Sequence, residues 1–206
     1  MLVTHMFRTA ILLGLFAIIG TGLVALTFKY TEQPITESER KALLRSLHAL
    51  IPPGSHDNDI FNDVLTVSNR EYLGTDKAMR IFRARQQGRP VAVVIETVAP
   101  DGYSGNIFLL VAINQDGTLL GVRVGKHKET PGLGDVIEIE RSDWVLGFTD
   151  KNLNNPGAPG WRVKKDGGEF DQFTGATITP RAVVKAVYRT LLFYQAQGDA
   201  LFVEDK

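Results

Sequence analysis

The feature that most limits how this chain can fold is an uncharged segment of 19 residues, at positions 10–28, bounded by Arg8 and Lys29. As an α-helix at about 1.5 Å per residue it would extend roughly 28 Å, close to the thickness of the hydrocarbon core of a bilayer. The segment has no polar face, which argues against a helix that covers a soluble core. We therefore predict an N-terminal membrane anchor in residues 1–30, followed by a folded domain in residues 31–206.

A cleaved signal peptide is the competing interpretation of the same segment. Signal peptides have a shorter apolar stretch, which ends in a small-x-small cleavage site. Here the apolar stretch ends in Phe28, Lys29 and Tyr30, which do not fit such a site. A retained single-pass helix in the lipid bilayer is favoured, and the signal peptide stays open as the alternative.

The charges that flank the segment do not decide its orientation. Arg8 precedes it, and the basic residues that follow it closely are Lys29, Arg40, Lys41 and Arg45. An excess of basic residues normally marks the cytoplasmic side, but long domains are exported largely regardless of charge. Both orientations remain open from the residues alone.

Composition argues against several classes of function. The 23 basic and 23 acidic residues balance, so no strong positive field attracts nucleic acid, and we expect no nucleic-acid partner. The chain has no cysteine, which removes thiolate catalysis, iron–sulfur ligation and thiolate zinc sites. Its four histidines lack ligand spacing, and no nucleophile and base stand together in a known pattern. We therefore predict neither a metal site nor a hydrolase.

After the anchor, apolar residues alternate between helical and strand spacing. Residues 36–51 place leucines on one helical face, and the Pro-Pro-Gly sequence at 52–54 should end that helix. Two hairpins are predicted in residues 79–98 and 106–127, because each range holds two apolar runs around a turn sequence. A loop at 99–105 should join these hairpins, which gives about four antiparallel strands.

The C-terminal part is predicted to be less regular until its last helix. One more strand and a turn are expected in residues 161–173. The final helix should run from residue 180 to residue 197, with Thr179 as its N-cap and Pro180 in its first turn. The predicted fold class is α+β: one N-terminal transmembrane helix, then a mainly antiparallel sheet with flanking helices.

Residues 171–180, which read DQFTGATITP, concentrate small hydroxyl side chains directly ahead of this helix. The N-terminus of a helix favours an anion, because its first amides are unpaired and the helix dipole is positive there. Thr179 and Pro180 would be enough to start the helix. The Asp, Thr, Gly, Ala and Thr ahead of them need another explanation, and this arrangement is suited to holding a phosphate group.

The heptapeptide at 171–177, DQFTGAT, resembles the flavinylation motif Asp-x-x-Ser/Thr-Gly-Ala-Thr of the covalent FMN-binding domain family. The segments APDGYSG, ETPGLGD and WRVKKDGGEFDQFTGATITP occur in the order typical of one family. They resemble the G subunits of the Rnf (Rsx) ion-translocating electron transport complexes and, more distantly, the C subunits of the sodium-translocating NADH:quinone reductases. The resemblance extends over most of the chain, and residues 55–78 contribute least to it.

The resemblance implies a covalent flavoprotein. A flavin transferase would attach FMN through its phosphate to the hydroxyl of Thr177, while Thr174, Gly175 and Ala176 would form the recognition loop and Asp171 its acidic residue. It also implies a single-pass protein of the bacterial inner membrane whose FMN-binding domain lies in the periplasm. That protein would exchange electrons with other subunits of a membrane complex and would not be an enzyme on its own.

Two further loops are candidate flavin contacts. A glycine-rich backbone allows a ring to approach closely and presents amides to its heteroatoms. We expect the isoalloxazine ring to lie against Glu129, Thr130, Pro131, Gly132, Leu133 and Gly134, and secondarily against Tyr103 and Ser104. Turn chemistry alone would also explain both loops.

Two other functions fit the same residues. A membrane-anchored scaffold or binding protein without redox chemistry would need only the anchor and the β-rich domain. Non-covalent binding of flavin, or of another ligand with a phosphate, would use the same helix N-terminus but would be reversed by unfolding.

Overall fold

The fold was analysed in a computed structural model that describes residues 2–203. The chain divides into two compact units, residues 1–45 and residues 46–206. The predicted boundary at residue 30 marks the end of a membrane segment, and it stays a prediction. The last three residues of the predicted domain, 204–206, lie outside the described residues.

The first helix, α1, spans Leu2–Leu50 without a break. The predicted start of a separate helix at residue 36 is therefore wrong. Pro34 lies inside α1, where it removes one backbone N–H, and this loss does not break the helix. The hydroxyls of Thr31 and Thr36 donate to carbonyls one turn earlier, as helical threonines do. The predicted end before Pro52 is confirmed within one residue.

Among residues 2–203, α1 is the one helix that is long and apolar enough to cross a membrane. Its large apolar side chains are exposed along the segment at 10–28; Phe16, for example, is 79% exposed. A helix of a soluble core would bury such side chains. By its length, composition and exposure, this segment could therefore span a membrane.

Five strands form one antiparallel sheet in chain order: β1 (Val64–Val67), β2 (Met79–Gln86), β3 (Arg89–Gly102), β4 (Gly105–Asn114) and β5 (Leu119–Val124). The two predicted hairpins and the α+β class are confirmed. The predicted loop at 99–105 is wrong, because β3 and β4 continue through it and leave Tyr103 and Ser104 as the turn. The glycines of this range fall at an irregularity in the β3–β4 pairing, so they mark a bulge and a tight turn.

Both faces of the sheet are covered. One face packs against the helix α3 (Ile178–Gln197) and the short helix α2 (Arg70–Leu73), and one row of it consists of Ile81, Ile95, Val111 and Val122. The adjacent row points to the opposite face and consists of Phe82, Val94, Ala112 and Gly121. The end of α1 lies on this second face, since a Cβ on Gly121 would be 3.1 Å from Leu50 Cδ2.

The segment between β5 and α3 consists mainly of turns around buried aromatic side chains. The strand predicted in residues 161–173 is wrong, because Val163 makes a single bridge to Phe170 and the chain turns at Lys164–Asp166. Gly168 explains the tight turn: a Cβ there would be 2.0 Å from the carbonyl oxygen of Arg162. The rings of Phe170 and Phe148 stack with centroids 4.7 Å apart. We call the rings of Trp144, Phe148, Trp161 and Phe170 the aromatic cluster, and Phe170 directly precedes the DQFTGAT motif.

Candidate functional site

The structure places Thr177 at the N-cap of α3. The prediction that Thr179 caps this helix is wrong, because Thr179 and Pro180 are its second and third residues. The carbonyl of Thr177 accepts a hydrogen bond from the N–H of Arg181, which closes the first helical turn. A proline is compatible with this turn because the first N–H groups of a helix have no acceptor within it.

The Thr177 side chain makes no capping hydrogen bond to the helix. It is half-buried, whereas Thr174 and Gly175 before it and Ile178 after it are exposed. An N-cap threonine ordinarily uses its oxygen to accept from an N–H of the first turn. Here that oxygen is left for another partner, directly beside the positive end of the helix dipole.

The motif forms a tight turn before Thr177. The N–H of Ala176 donates to the carbonyl of Phe173 over 3.1 Å, and Gly175, the third residue of the turn, has φ +82°. That conformation is required at the third position of a type II turn and is strained for residues with a Cβ. The glycine is therefore needed to bring the chain into Thr177, and its exposed backbone leaves space above the turn.

Asp171 lies at the start of the motif and points to the surface. Its carboxylate pairs with Lys164 over 2.6 Å, and its carbonyl accepts from the indole N–H of Trp144 over 2.8 Å. The Trp144 ring also contacts the Phe173 ring edge to face, with centroids 5.2 Å apart. Asp171 and Phe173 thus connect the motif to the aromatic cluster.

Residues 129–134 form a compact loop, which we call the glycine loop. The N–H groups of Leu133 and Gly134 donate to the carbonyl of Thr130, at 3.1 and 2.9 Å. Leu133 is 45% exposed, and its Cδ2 lies 3.6 Å from where a Cβ on Gly175 would be. The glycine loop and the motif are therefore neighbours, as a shared ligand site requires.

Glu129 connects the glycine loop to the two other predicted segments. Its side chain is 4% exposed. Its Oε1 accepts from the N–H of Ser104 over 2.8 Å, and its Oε2 accepts from the hydroxyl of Thr179. Tyr103, beside Ser104, is 72% exposed. The structure thus brings the β3–β4 turn, the glycine loop and the start of α3 together.

Sequence reasoning missed two side chains that support the glycine loop. His127 Nδ1 accepts from the N–H of Glu129 over 3.0 Å, and its Nε2 is 2.8 Å from a carboxylate oxygen of Glu138. The carboxylate of Asp135 accepts from the N–H of Gly132 over 2.7 Å. No local pattern indicates Asp135, because a turn aspartate ordinarily accepts from an N–H that follows it in the chain, whereas Gly132 precedes Asp135 by three residues.

One charged pair lies near the start of α3. Arg181 donates from Nε and Nη2 to both oxygens of Asp166, at 2.6 and 2.9 Å. These hydrogen bonds from Arg181 hold the pKa of Asp166 below its usual value. In return the Asp166 carboxylate raises the pKa of Arg181. The pair therefore leaves no net charge at this position.

The arrangement fits a ligand that combines a phosphate with a flat apolar ring. The N-terminal amides of α3 and the Thr177 hydroxyl suit the phosphate. A Cβ on Gly132 would meet open space, so this side of the glycine loop is accessible. Tyr103, Leu133 and Ile178, one in each of the three adjoining segments, are exposed. Within residues 2–203, no group of three or more histidine, aspartate or glutamate residues is arranged to hold a metal ion.

Comparison with known proteins gives matches along nearly the whole chain. Residues 102–192, which include the β3–β4 turn, the glycine loop and the motif, match the model of the FMN-binding domain, and residues 1–50 match that of the RnfG N-terminal region. The G subunit of the ion-translocating oxidoreductase complex of Pseudoalteromonas atlantica is 52% identical over 195 residues, which are 95% of this chain and 91% of that protein. The G subunit of the same complex in Pseudomonas aeruginosa strain PAO1 is 50% identical over 201 residues, 98% of this chain and 94% of that protein. The G subunit of the complex in Vibrio cholerae strain N16961 is 48% identical over 190 residues, which are 92% of this chain and 90% of that protein.

Proposed function

Because the chain belongs to the family of the G subunits of ion-translocating oxidoreductase complexes, we propose that it is a membrane-anchored electron-transfer protein with covalently bound FMN. The FMN phosphate is esterified to the hydroxyl of Thr177. The observation that carries this proposal is the setting of Thr177, which caps a 20-residue helix by its backbone while its side chain makes no cap bond. The neighbouring turn, with Thr174, Gly175 and Ala176, lets a transferase approach.

The start of α3 stabilises the product of this modification. In the transfer from FAD, the Thr177 oxygen would bond to the phosphorus of the flavin phosphate, and the pyrophosphate P–O bond to the adenylate would break, so AMP would leave and the hydroxyl proton would be lost. The phosphodiester keeps one negative charge, which the amides and dipole of the helix stabilise by about 0.3–1 kcal/mol. The N–H groups of Ile178 and Thr179 are the nearest donors that have no acceptor within the helix.

The remaining residues of the site position the ring. When bound, FMN supplies the electron-transfer chemistry, and the protein supplies orientation and electrostatics. Residues 130–134 of the glycine loop give the ring a surface that is open to solvent at Gly132, and the buried Glu129 side chain supports them from inside. Tyr103 and Ser104 in the β3–β4 turn form a second surface for the ring. Asp171 connects the motif to the aromatic cluster through Trp144.

The anchor and the family together support a place in a membrane complex. Residues 10–28 of α1 span the bacterial inner membrane once, and the FMN-binding domain lies in the periplasm. The other subunits of the complex are its electron-transfer partners, and a flavin transferase is its partner during maturation. Such a complex would couple electron transfer between ferredoxin and NAD to ion translocation.

Intact mass tests the covalent link. The full chain, produced together with a flavin transferase, is expected to gain the mass of one FMN minus one water. The gain should disappear in Thr177→Val, which removes the hydroxyl and preserves the side-chain shape, and should remain in the control Thr66→Val on an exposed strand position. Trypsin releases residues 166–181 as one peptide, so fragmentation can distinguish Thr174, Thr177 and Thr179.

Each alternative function gives a different result in the same experiment. A scaffold without redox chemistry would carry no flavin, and Thr177→Val would leave complex assembly and electron transfer unchanged. A non-covalent flavin would be lost when the protein is unfolded, so fluorescence on a denaturing gel would be absent. Either result contradicts the proposal.

The periplasmic orientation can be tested by labelling, because the natural chain has no cysteine. Single cysteines at Thr4 and Ala78 lie on opposite sides of the apolar segment, and both positions are exposed. A maleimide that cannot cross the inner membrane should label Ala78→Cys in cells with a permeable outer membrane and should not label Thr4→Cys. The reverse pattern would place the domain in the cytoplasm.

A further inference from the structure

We infer that Glu129 is a positioning residue of the flavin site. Its buried carboxylate holds the β3–β4 turn and the first turn of α3 against the glycine loop, and so fixes the distance between the attachment hydroxyl and the surfaces that receive the ring. The effect on flavin rests on the proposed function, whereas the effect on the three segments does not.

The two carboxylate oxygens have different partners. Oε1 accepts from the backbone N–H of Ser104, which belongs to the β3–β4 turn, and Oε2 accepts from the hydroxyl of Thr179, in the first turn of α3. Ser104 is 25 residues before Glu129, and Thr179 is 50 residues after it. One side chain therefore connects three segments that are distant in the sequence.

Two glycines, Gly102 and Gly134, lie so close to the Glu129 carboxylate that a larger side chain at either position would clash with it. A Cβ on Gly134 would be 2.8 Å from Glu129 Cβ, 3.0 Å from its Oε2 and 3.2 Å from the Thr179 hydroxyl oxygen. A Cβ on Gly102 would be 3.0 Å from Glu129 Oε1. Since real Cβ atoms hardly approach other atoms so closely, these glycines leave the space that the carboxylate occupies.

Burial makes these hydrogen bonds effective constraints. Glu129 is 4% exposed and Thr179 is 1% exposed, so water does not replace either partner easily. Hydrogen bonds to a carboxylate are stronger than neutral ones, and a buried polar group without a partner is unfavourable. The main chain of Glu129 is held as well, because its N–H donates to His127 Nδ1. The backbone of Glu129 is therefore held in place, so its carboxylate can position both partners.

The two hydrogen-bond partners of the Glu129 carboxylate lie next to the segments that the flavin would contact. Thr179 is two residues after Thr177, and Ser104 follows the exposed Tyr103. Leu133 of the glycine loop is next to Gly175 of the motif. Without the carboxylate, the attachment residue and the two ring surfaces would move independently, and an attached flavin would have a wider range of orientations.

Hydrogen exchange in the full chain in nanodiscs, with and without attached flavin, tests this role. Glu129→Leu is expected to speed amide exchange several-fold in residues 102–105, because the Ser104 N–H loses its acceptor. Exchange should also become faster in residues 181–184, the first amides of α3 with helical acceptors, because the Thr179 hydroxyl no longer ties that turn to Glu129. Glu129→Gln keeps an acceptor oxygen and should restore most of the protection. Gly134→Ala should act like Glu129→Leu, whereas the control Gly147→Ala should have no effect, since a Cβ there meets no atom within 4 Å.

The attached flavin provides a second readout. Its fluorescence anisotropy should fall in Glu129→Leu and recover in Glu129→Gln. If Glu129→Leu does not fold, Thr179→Val removes one bond only, and it should speed exchange at the start of α3 while Ser104 stays protected. Unchanged exchange in both regions would overturn the inference even if Thr177 carries flavin. A wild-type chain without flavin would overturn the proposed function, and exchange in that protein would still decide the role of Glu129.

Discussion

The two loops of the candidate site are built in opposite ways. The glycine loop, residues 129–134, directs its charged side chain inward, where both oxygens of Glu129 have donors. The motif at 171–177 directs its polar side chains outward, and the Thr177 side chain makes no cap bond to the helix. One loop is fixed by interior hydrogen bonds, and the other rests on the aromatic cluster through Trp144.

This difference shows how one site can serve two requirements. A redox group needs a fixed surface, because electron transfer depends on its orientation and surroundings. A hydroxyl that another protein must modify needs to be accessible and unengaged. Under the proposed function, these requirements fall on two neighbouring loops, so substitutions in the glycine loop should affect order and substitutions in the motif should affect modification.

The largest expected effect is the complete loss of covalent flavin in Thr177→Val. The hydroxyl supports no capping bond, so the stability of the domain should change by no more than about 0.5 kcal/mol, as for most surface substitutions. Intact mass and thermal unfolding of the same preparation measure both quantities. A large loss of stability would mean that the Thr177 hydroxyl has a structural role and that the contrast between the loops is wrong.

Next in size is the effect of removing the aromatic support of the motif. Phe148 is fully buried and contacts Trp144 and Phe170, with ring centroids 5.3 and 4.7 Å away. Phe148→Ala should destabilise the domain by about 3–5 kcal/mol through lost burial and the cavity that remains. Denaturant unfolding followed by tryptophan fluorescence measures this. Leu146→Ala is the control, since that side chain is in the same turn and 42% exposed, and it should cost much less.

Thr179→Val should destabilise the domain less than Phe148→Ala does. In contrast to Thr177→Val, it should lower stability and leave flavin attachment unchanged. It leaves one oxygen of the buried Glu129 without its donor, which costs about 1–3 kcal/mol for an unsatisfied buried group. Flavin attachment should continue, because Thr177 is unchanged. The same denaturant titration and intact mass measure both results. If Thr179→Val loses flavin and Thr177→Val keeps it, the attachment residue has been assigned wrongly.

The smallest expected effect belongs to the Asp166–Arg181 pair. The Arg181 hydrogen bonds hold the folded-state pKa of Asp166 below its unfolded value, so the pair stabilises the fold above about pH 3.9. That contribution is lost as the pH falls through the lower folded-state pKa. Asp166→Asn should therefore lower the Tm slightly at pH 7, and the difference from wild type should vanish in acid. The pair is partly exposed, so added salt should reduce the effect. A difference that grows in acid would contradict this origin.

The sequence predicted those parts of the fold that depend on local pattern. Two apolar runs around a turn sequence predicted each hairpin, and the spacing of Asp, Thr, Gly, Ala and Thr predicted the motif. The short strand β1 was not predicted, because its four residues become a strand by pairing with β2. Pro34 does not interrupt α1, since the loss of one hydrogen bond in a long helix does not break it.

The interior of the site could not be predicted from local pattern. Glu129 was expected at the ring surface because the glycine-rich backbone of its loop allows close approach, whereas its carboxylate is buried among partners 25 and 50 residues away. Thr179 was expected to be an N-cap because a Thr-Pro pair is typical of helix starts. Its actual partner, Glu129, is visible only in three dimensions.

The third helical position of α3 has a further consequence. An N-cap threonine commonly accepts a hydrogen bond from the N–H of the third helical residue, and in α3 that residue is Pro180, which has no N–H. Folding and modification would otherwise compete for the same oxygen of Thr177. Because Pro180 has no N–H to donate, α3 forms with the Thr177 carbonyl as its first acceptor, and the Thr177 hydroxyl oxygen is left for the proposed modification.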